Sequence, residues 1–218
     1  MHLAIFLGLT LAVQPLLSRE PDHNQNIESI LHFWFSNNVE KGLYNRALWW
    51  QKNTATDSEI QKRFGEIRLQ AINGKLDHWL DSPKGTLAYI LLIDQFSRNM
   101  FRGTPEMYRY DFLALNAAKN CLARGDDQKL SMTERVFIYM PFEHSESLSD
   151  QKRSVKLFKK LQKEAADKDK KSAASYAHYA EDHCAIIEKF GRFPHRNAIL
   201  SRKNTLEETD FLKKHSGY

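Results

Sequence analysis

At 218 residues, 42% hydrophobic and 11% aromatic, the chain suits one domain with a sizeable core, and this composition excludes global disorder. Nine glycines and six prolines are few for this length, which argues against a many-turned β architecture and for helices. A formal charge of +5 leaves anionic partners open, but no recognition-helix, zinc-finger or RNP pattern accompanies it, so nucleic acid is disfavoured and a solvated, lysine-rich surface accounts for most of the charge.

Residues 1–24 read as an extension outside the helical body. Leu3 to Val13 is an apolar run of signal-peptide length, too short to span a bilayer comfortably, and the polar breaker Arg19-Glu20-Pro21-Asp22 follows it. The segment lacks a basic n-region and a clean A-x-A site, so three readings stand. It is an export signal, which sends the mature chain to the periplasm or beyond. It is an uncleaved membrane anchor. Or it is a start placed too far upstream on a cytoplasmic protein. No other stretch reads as an integral membrane segment.

Residues 25–218 read as a single all-α domain. Ile27, Ile30, Leu31, Trp34 and Phe35 recur at helical spacing, and Asn37 and Asn38 end that helix. Leu48-Trp49-Trp50 marks an aromatic connector. Asp57 is positioned to cap a helix through Ile60, Phe64, Ile67 and Ala71, closed by Gly74, and Trp79 follows on a short turn. Pro83 opens the next helix, whose stretch Leu87 to Ile93 is apolar on every side and therefore buried. Thr104-Pro105 starts another that runs to Gly125. Ser131 and Glu134 form a capping box for a helix that Pro141 stops, and Ser149 starts its successor. Lys163 to Lys171 is an exposed, charged helix end and loop. Ser172 to Phe190 carries the small-residue stripe Ala173, Ala177, Ala180 and Cys184. Thr205 and Glu208 box the last helix. Successive helices joined by short loops suggest stacked helical hairpins of tetratricopeptide-like character without a strict repeat. Cys121 and Cys184 belong to no CxxC pair and read as free, buried thiols.

Three polar clusters interrupt the apolar pattern. The first continues the all-apolar helix: Asp94, Arg98 and Arg102 are spaced by four and share a face, with Gln95 and Asn99 beside it. Two arginines exceed what one aspartate needs, which favours a polar pocket wall over a plain ion pair. The second is Glu143-His144-Ser145-Glu146. Carboxylates flanking an imidazole suit acid–base work, and Asp94, Glu143 and His144 are the candidate catalytic groups. The competing structural reading is a loop that caps the following helix. The third, Phe190-Gly191-Arg192-Phe193-Pro194-His195-Arg196-Asn197, presents two arginines from a stiff turn, and the planar guanidinium matches a carboxylate or phosphate. The candidate ligand-binding residues are Gln95, Arg98, Asn99, Arg102, Glu146, Arg192, Arg196 and Asn197. No cofactor is called for: the HExxH, EF-hand, Walker A and GxSxG strings are absent. His178 and Asp182, with His183 adjacent, are a weaker metal alternative.

These strings resemble the bacterial domain-of-unknown-function 924 family over roughly Ile27 to Leu212, with Leu31-His32-Phe33-Trp34-Phe35 similar to its opening motif. Ser97 stands where that family usually has proline, and Ser201 where it usually has glycine. The resemblance implies a tetratricopeptide-like all-α fold and no activity. All three clusters fall at expected helix ends, so stacked hairpins can gather them at one place. The expectation is a polar pocket for a small phosphate- or carboxylate-bearing ligand, with catalysis left open. A peptide-binding helical scaffold is the alternative.

Overall fold

The computed structural model describes residues 23–35 and 46–215, and every regular element among them is helical, as the composition and periodicity predict. The apolar run Leu3 to Val13 and the stop at Asn37-Asn38 lie outside the described residues. Among the described residues no helix is long and apolar enough to cross a membrane.

Helix α1 (His23–Phe35) buries Ile30, Leu31, Trp34 and Phe35, the stripe expected from their spacing. The aromatic segment expected as a connector is a short helix, α2 (Arg46–Trp50). It is pinned to α1 by the Trp49 indole N–H, which donates to the Trp34 carbonyl at 2.9 Å. Helix α3 (Thr54–Ile72) begins earlier than expected because Asn53, not Asp57, is its N-cap: the Asn53 side chain accepts from the amides of Ala55 and Thr56. Asp57 falls in the first turn, and its carboxylate turns to a different task, described below.

The centre of the molecule is a continuous rod. Helix α4 (Pro83–Ile90) is capped by the Ser82 hydroxyl. It runs without interruption through a π-helical turn at Leu91–Phe96 into α5 (Ser97–Met100). Every residue from Gly85 to Ser97 is buried, which agrees with the all-round apolar pattern. Gly85 is required at its position, since a Cβ there would lie 2.2 Å from the Trp79 carbonyl oxygen. The π turn was not expected from the sequence. It loosens the backbone ladder where the polar cluster begins, at Asp94 and Gln95, and the Ser97 hydroxyl donates to the Leu92 carbonyl at 3.3 Å beside that opening.

Further expected boundaries are corrected. The helix expected from Pro105 is a single 3-10 turn (Pro105–Met107), and α6 (Asp111–Ala123) starts only after Tyr110. The break brings the Tyr108 ring against Arg98 and Arg196, at 5.7 and 4.6 Å from the guanidinium carbons. Pro141 does not stop α7 (Met132–Glu143) but lies inside its last turn. The ring removes only its own N–H, and the next turn still closes through His144 N–H to the Met140 carbonyl at 2.9 Å. Helix α8 (Leu148–Glu164) starts one residue before Ser149, with Ser147 as its cap. Helix α8 packs along α9 (Lys170–Phe190) in the most extensive helix pair, and α7 packs on α8. Ala173, Ala177, Ala180 and Cys184 are buried on α9 as the small-residue stripe predicts. Helix α10 (Leu206–Lys214) carries the expected capping box, and with Phe190, Phe193 and Ile187 it closes a small second core. Both cysteines are free and buried.

Candidate functional site

The three polar clusters converge. Gln95, Arg98, Asn99 and Arg102 from the central rod, Glu143 and His144 from the end of α7, and Arg196 from the turn after α9 line one cavity of about 840 Å3. A second hollow of about 580 Å3 adjoins it, sharing Tyr108, His144 and Arg196 and adding Asp111 and Glu146.

Asp94 is the hub. It is 1% exposed, and one carboxylate oxygen lies 2.8 Å from Nδ1 of His144 and 2.9 Å from Nη1 of Arg98. The Gln95 amide donates to its other oxygen at 2.5 Å. Burial alone would raise the Asp94 pKa, but Arg98 and His144 outweigh it and hold the carboxylate ionised. Arg98 in turn donates two parallel bonds to Asp111, at 3.1 and 2.9 Å, and one to the Asp94 carbonyl at 2.7 Å. Burial lowers the His144 pKa, as does Arg98, and together these outweigh Asp94. His144 is therefore neutral near pH 7. Its Nδ1 hydrogen is directed at Asp94, which leaves Nε2 as the basic atom.

Glu143 behaves in the opposite way. It is buried, and among the described residues its ionic neighbour is His183 at 3.7 Å. Burial, and then the nearby Asp94 charge, push its pKa up to about 8. His195, inside the third cluster but not among its candidate binding residues, and His183, weighed only beside the metal alternative, line the same cavity. His183 is lowered by burial, and His195 is pushed down to about 3 by burial and then by Arg196.

Arg196 is only partly compensated. It is 7% exposed, and its guanidinium is sandwiched between the rings of Phe193 and Tyr108 at 4.4 and 4.6 Å. One Nη donates to the His144 carbonyl at 3.0 Å, the Asp111 carboxylate is 4.0 Å away, and Nε has no hydrogen-bond partner. Burial lowers its pKa, and the neighbouring Arg98 lowers it further.

The remaining predicted residues are otherwise engaged. Arg102 and Asn99 reach the cavity wall but bind Asp57: Arg102 donates to both carboxylate oxygens at 2.9 Å, and Asn99 to one at 2.8 Å. Arg192 does not line either hollow and grips Glu208 at 2.6 and 2.8 Å. Glu146 borders the smaller hollow and is held by the fork of Arg202 at 2.8 and 2.9 Å and by the Phe193 amide at 2.8 Å. Asn197 is fully buried, accepting from Arg202 and donating to Asn204, each at 2.8 Å. These last residues shape the turn that carries Arg196. Asp57, expected only as a helix cap, and Asp111, which carried no expectation, are the acids that satisfy Arg102 and Arg98. As first-turn acids of helices they carried no local sign of that task. Of the metal alternative, His178 and Asp182 form an exposed pair at 3.4 Å. Among the described residues no group of three or more His, Cys, Asp and Glu could hold a metal ion.

Ser201, in the same turn, has φ of 55°, the left-handed region, at the position the resembled family gives to glycine. Ser201→Gly is expected to stabilise the protein by about 1 kcal/mol by removing the Cβ clash, less what the freer unfolded chain takes back. A urea midpoint that falls instead would show that the Ser201 side chain has a stabilising role.

The chain matches the family model described as "Bacterial protein of unknown function (DUF924)" over residues 30–216. It is also similar to the solved structure of a protein of unknown function from Agrobacterium tumefaciens, with a TM-score of 0.77 and 38% identity, covering 88% of this chain and 99% of the other. No protein with a curated description matches. The match spans all three clusters and the helices that gather them, and the chain belongs to the bacterial domain-of-unknown-function 924 family.

Proposed function

We propose that the larger cavity binds a small anionic ligand whose phosphate or carboxylate is held by Arg196. The observation that carries this reading is the state of that guanidinium: buried, 4.0 Å from an Asp111 carboxylate that Arg98 already engages, and with Nε unsatisfied. A buried charge left this poorly compensated is costly, and an incoming oxyanion would supply both the countercharge and the missing acceptor. Arg98 is the instructive contrast, because Asp94 and Asp111 already occupy its fork.

The same cavity holds groups suited to proton transfer. The Asp94–His144 pair is a base with a defined tautomer, and Glu143 is an acid that keeps its proton near neutrality. Neighbouring groups with pKa values driven apart in this way are fit to take a proton from one atom of a bound ligand and give one to another. Binding is the primary proposal, and catalysis is its extension.

Arg196→Met keeps apolar filling between Tyr108 and Phe193 while deleting the charge. Inorganic phosphate, methyl phosphate and acetate are the probes. At least one is expected to raise the melting temperature of the natural protein, since a ligand of the native state stabilises it. Arg196→Met should weaken that ligand by about 1.5–3 kcal/mol, the range for a charge-assisted hydrogen bond. No shift with any probe, or equal binding by the variant, overturns the reading.

A further inference from the structure

The aromatic side chains at the mouth of the cavity carry the anion reading one step further. Trp50, at the end of α2, and Tyr179, on α9, are among the few large hydrophobic residues the fold leaves exposed, at 50% and 54%. Both line the cavity that contains Arg196. Tyr176, one helical turn from Tyr179, also lines the cavity, with its ring 6.2 Å from that of Trp50. The wall therefore changes character, from half-exposed Trp50 and Tyr179 to part-buried His144 and buried Arg196 and Glu143. Single exposed aromatics are ordinary, but two on the wall of one cavity form a surface that a ligand could cover.

The volume points the same way. A bare oxyanion fills a small part of about 840 Å3, whereas cavities of this size usually enclose an organic molecule with an apolar body and a few polar groups. Apolar burial supplies most of the affinity in such sites, and buried polar groups set the orientation.

We propose that the ligand is an organic anion with a planar, aromatic body, seated against Trp50 and Tyr179 with its phosphate or carboxylate directed inward to Arg196. This rests on the anion reading above and narrows it to a ligand class.

The test compares matched pairs: methyl phosphate with phenyl phosphate, and acetate with benzoate. Affinity is measured by calorimetry, and tryptophan fluorescence gives a second readout. The aryl member of the binding pair is expected to bind about tenfold more tightly, the scale of one good aromatic contact, and to quench Trp50. Trp50→Ala and Tyr179→Ala, both at half-exposed positions whose loss should leave the fold intact, should each reduce the aryl-to-methyl ratio. The double variant should bring it close to one. Equal affinities of the two members, both weakened by Arg196→Met, overturn the aromatic inference and leave the anion reading standing. An aryl preference that survives the double variant places the ring elsewhere and also overturns the inference. No binding by any of these four probes or by inorganic phosphate overturns both readings.

Discussion

Asp94→Ala is expected to lower the folding free energy by about 3–5 kcal/mol, because it deletes one partner of a buried charge network and leaves the others in place. Asp94 receives His144, Arg98 and Gln95 at once. Arg98 keeps its two bonds to Asp111 and its bond to the residue 94 carbonyl, so its loss is partial. His144 and Gln95 each lose a buried acceptor. Arg98 and Arg196 would then share Asp111 as their recorded carboxylate. Asp94→Asn keeps the shape and an acceptor for His144 but not the charge, and is expected to fall between the natural protein and alanine. Urea unfolding with linear extrapolation measures both. A loss below about 1 kcal/mol for Asp94→Ala would mean that the network is not a stabilising hub.

Glu143 should give the protein an unusual dependence of stability on pH. Its carboxyl is raised to about 8 in the folded protein, against 4.5 as the ordinary value. Folding therefore retains a proton that the unfolded chain releases. The resulting stability is complete below about pH 4.5, falls as pH rises, and is gone above about pH 8. His144, His183 and His195 act in the other sense, since their folded values are lowered. Their contribution is complete above about 6.5 and is lost as pH falls. Asp94 and Glu146, also lowered, lose their contributions only at acid pH. Between about pH 6.5 and 8 Glu143 is the group left titrating among these, and each unit is worth about 1.4 kcal/mol at most, so the natural protein should lose roughly 2 kcal/mol across that window. Glu143→Gln carries no proton to lose and should be flat there. It should match the natural protein near pH 4.5 and exceed it increasingly as pH rises toward 8, because glutamine stands in for the protonated carboxyl at every pH. Parallel pH profiles for the two proteins would show that Glu143 is ionised in the folded state and remove it as a proton donor.

The fold class was legible in the sequence because helices announce themselves locally. The stripe Ile30, Leu31, Trp34 and Phe35, the all-apolar run from Leu87 to Ile93, and the box of Thr205 with Glu208 depend on residues three or four apart. The polar clusters were visible for a related reason: charge inside an apolar context is conspicuous. Boundaries were less legible where two local signals competed. Asn53 and Asp57 are both good caps, and the chain uses the first. Proline at position 141 marks an end, but only within a turn, since the amide it removes is one of several that close the helix.

What the chain order could not show is which charges neutralise each other. Arg102, Arg192 and Arg196 are the same residue type in similar settings. Yet Asp57 takes the first, Glu208 the second, and the third is left with an unsatisfied Nε between two rings. That division depends on partners up to 45 positions away for Arg102 and on how α3, α6 and α10 pack. The pKa of Glu143 has the same origin, because desolvation is set by everything that surrounds the carboxyl and not by its neighbours along the chain. The sequence by itself determined an all-α chain with three polar clusters at helix ends, since propensity, capping and periodicity act over a few residues. Only the tertiary structure decided that one arginine of the set faces a cavity with Nε unsatisfied and a carboxylate no nearer than a shared Asp111, because long-range electrostatics and burial exist only once the helices have packed.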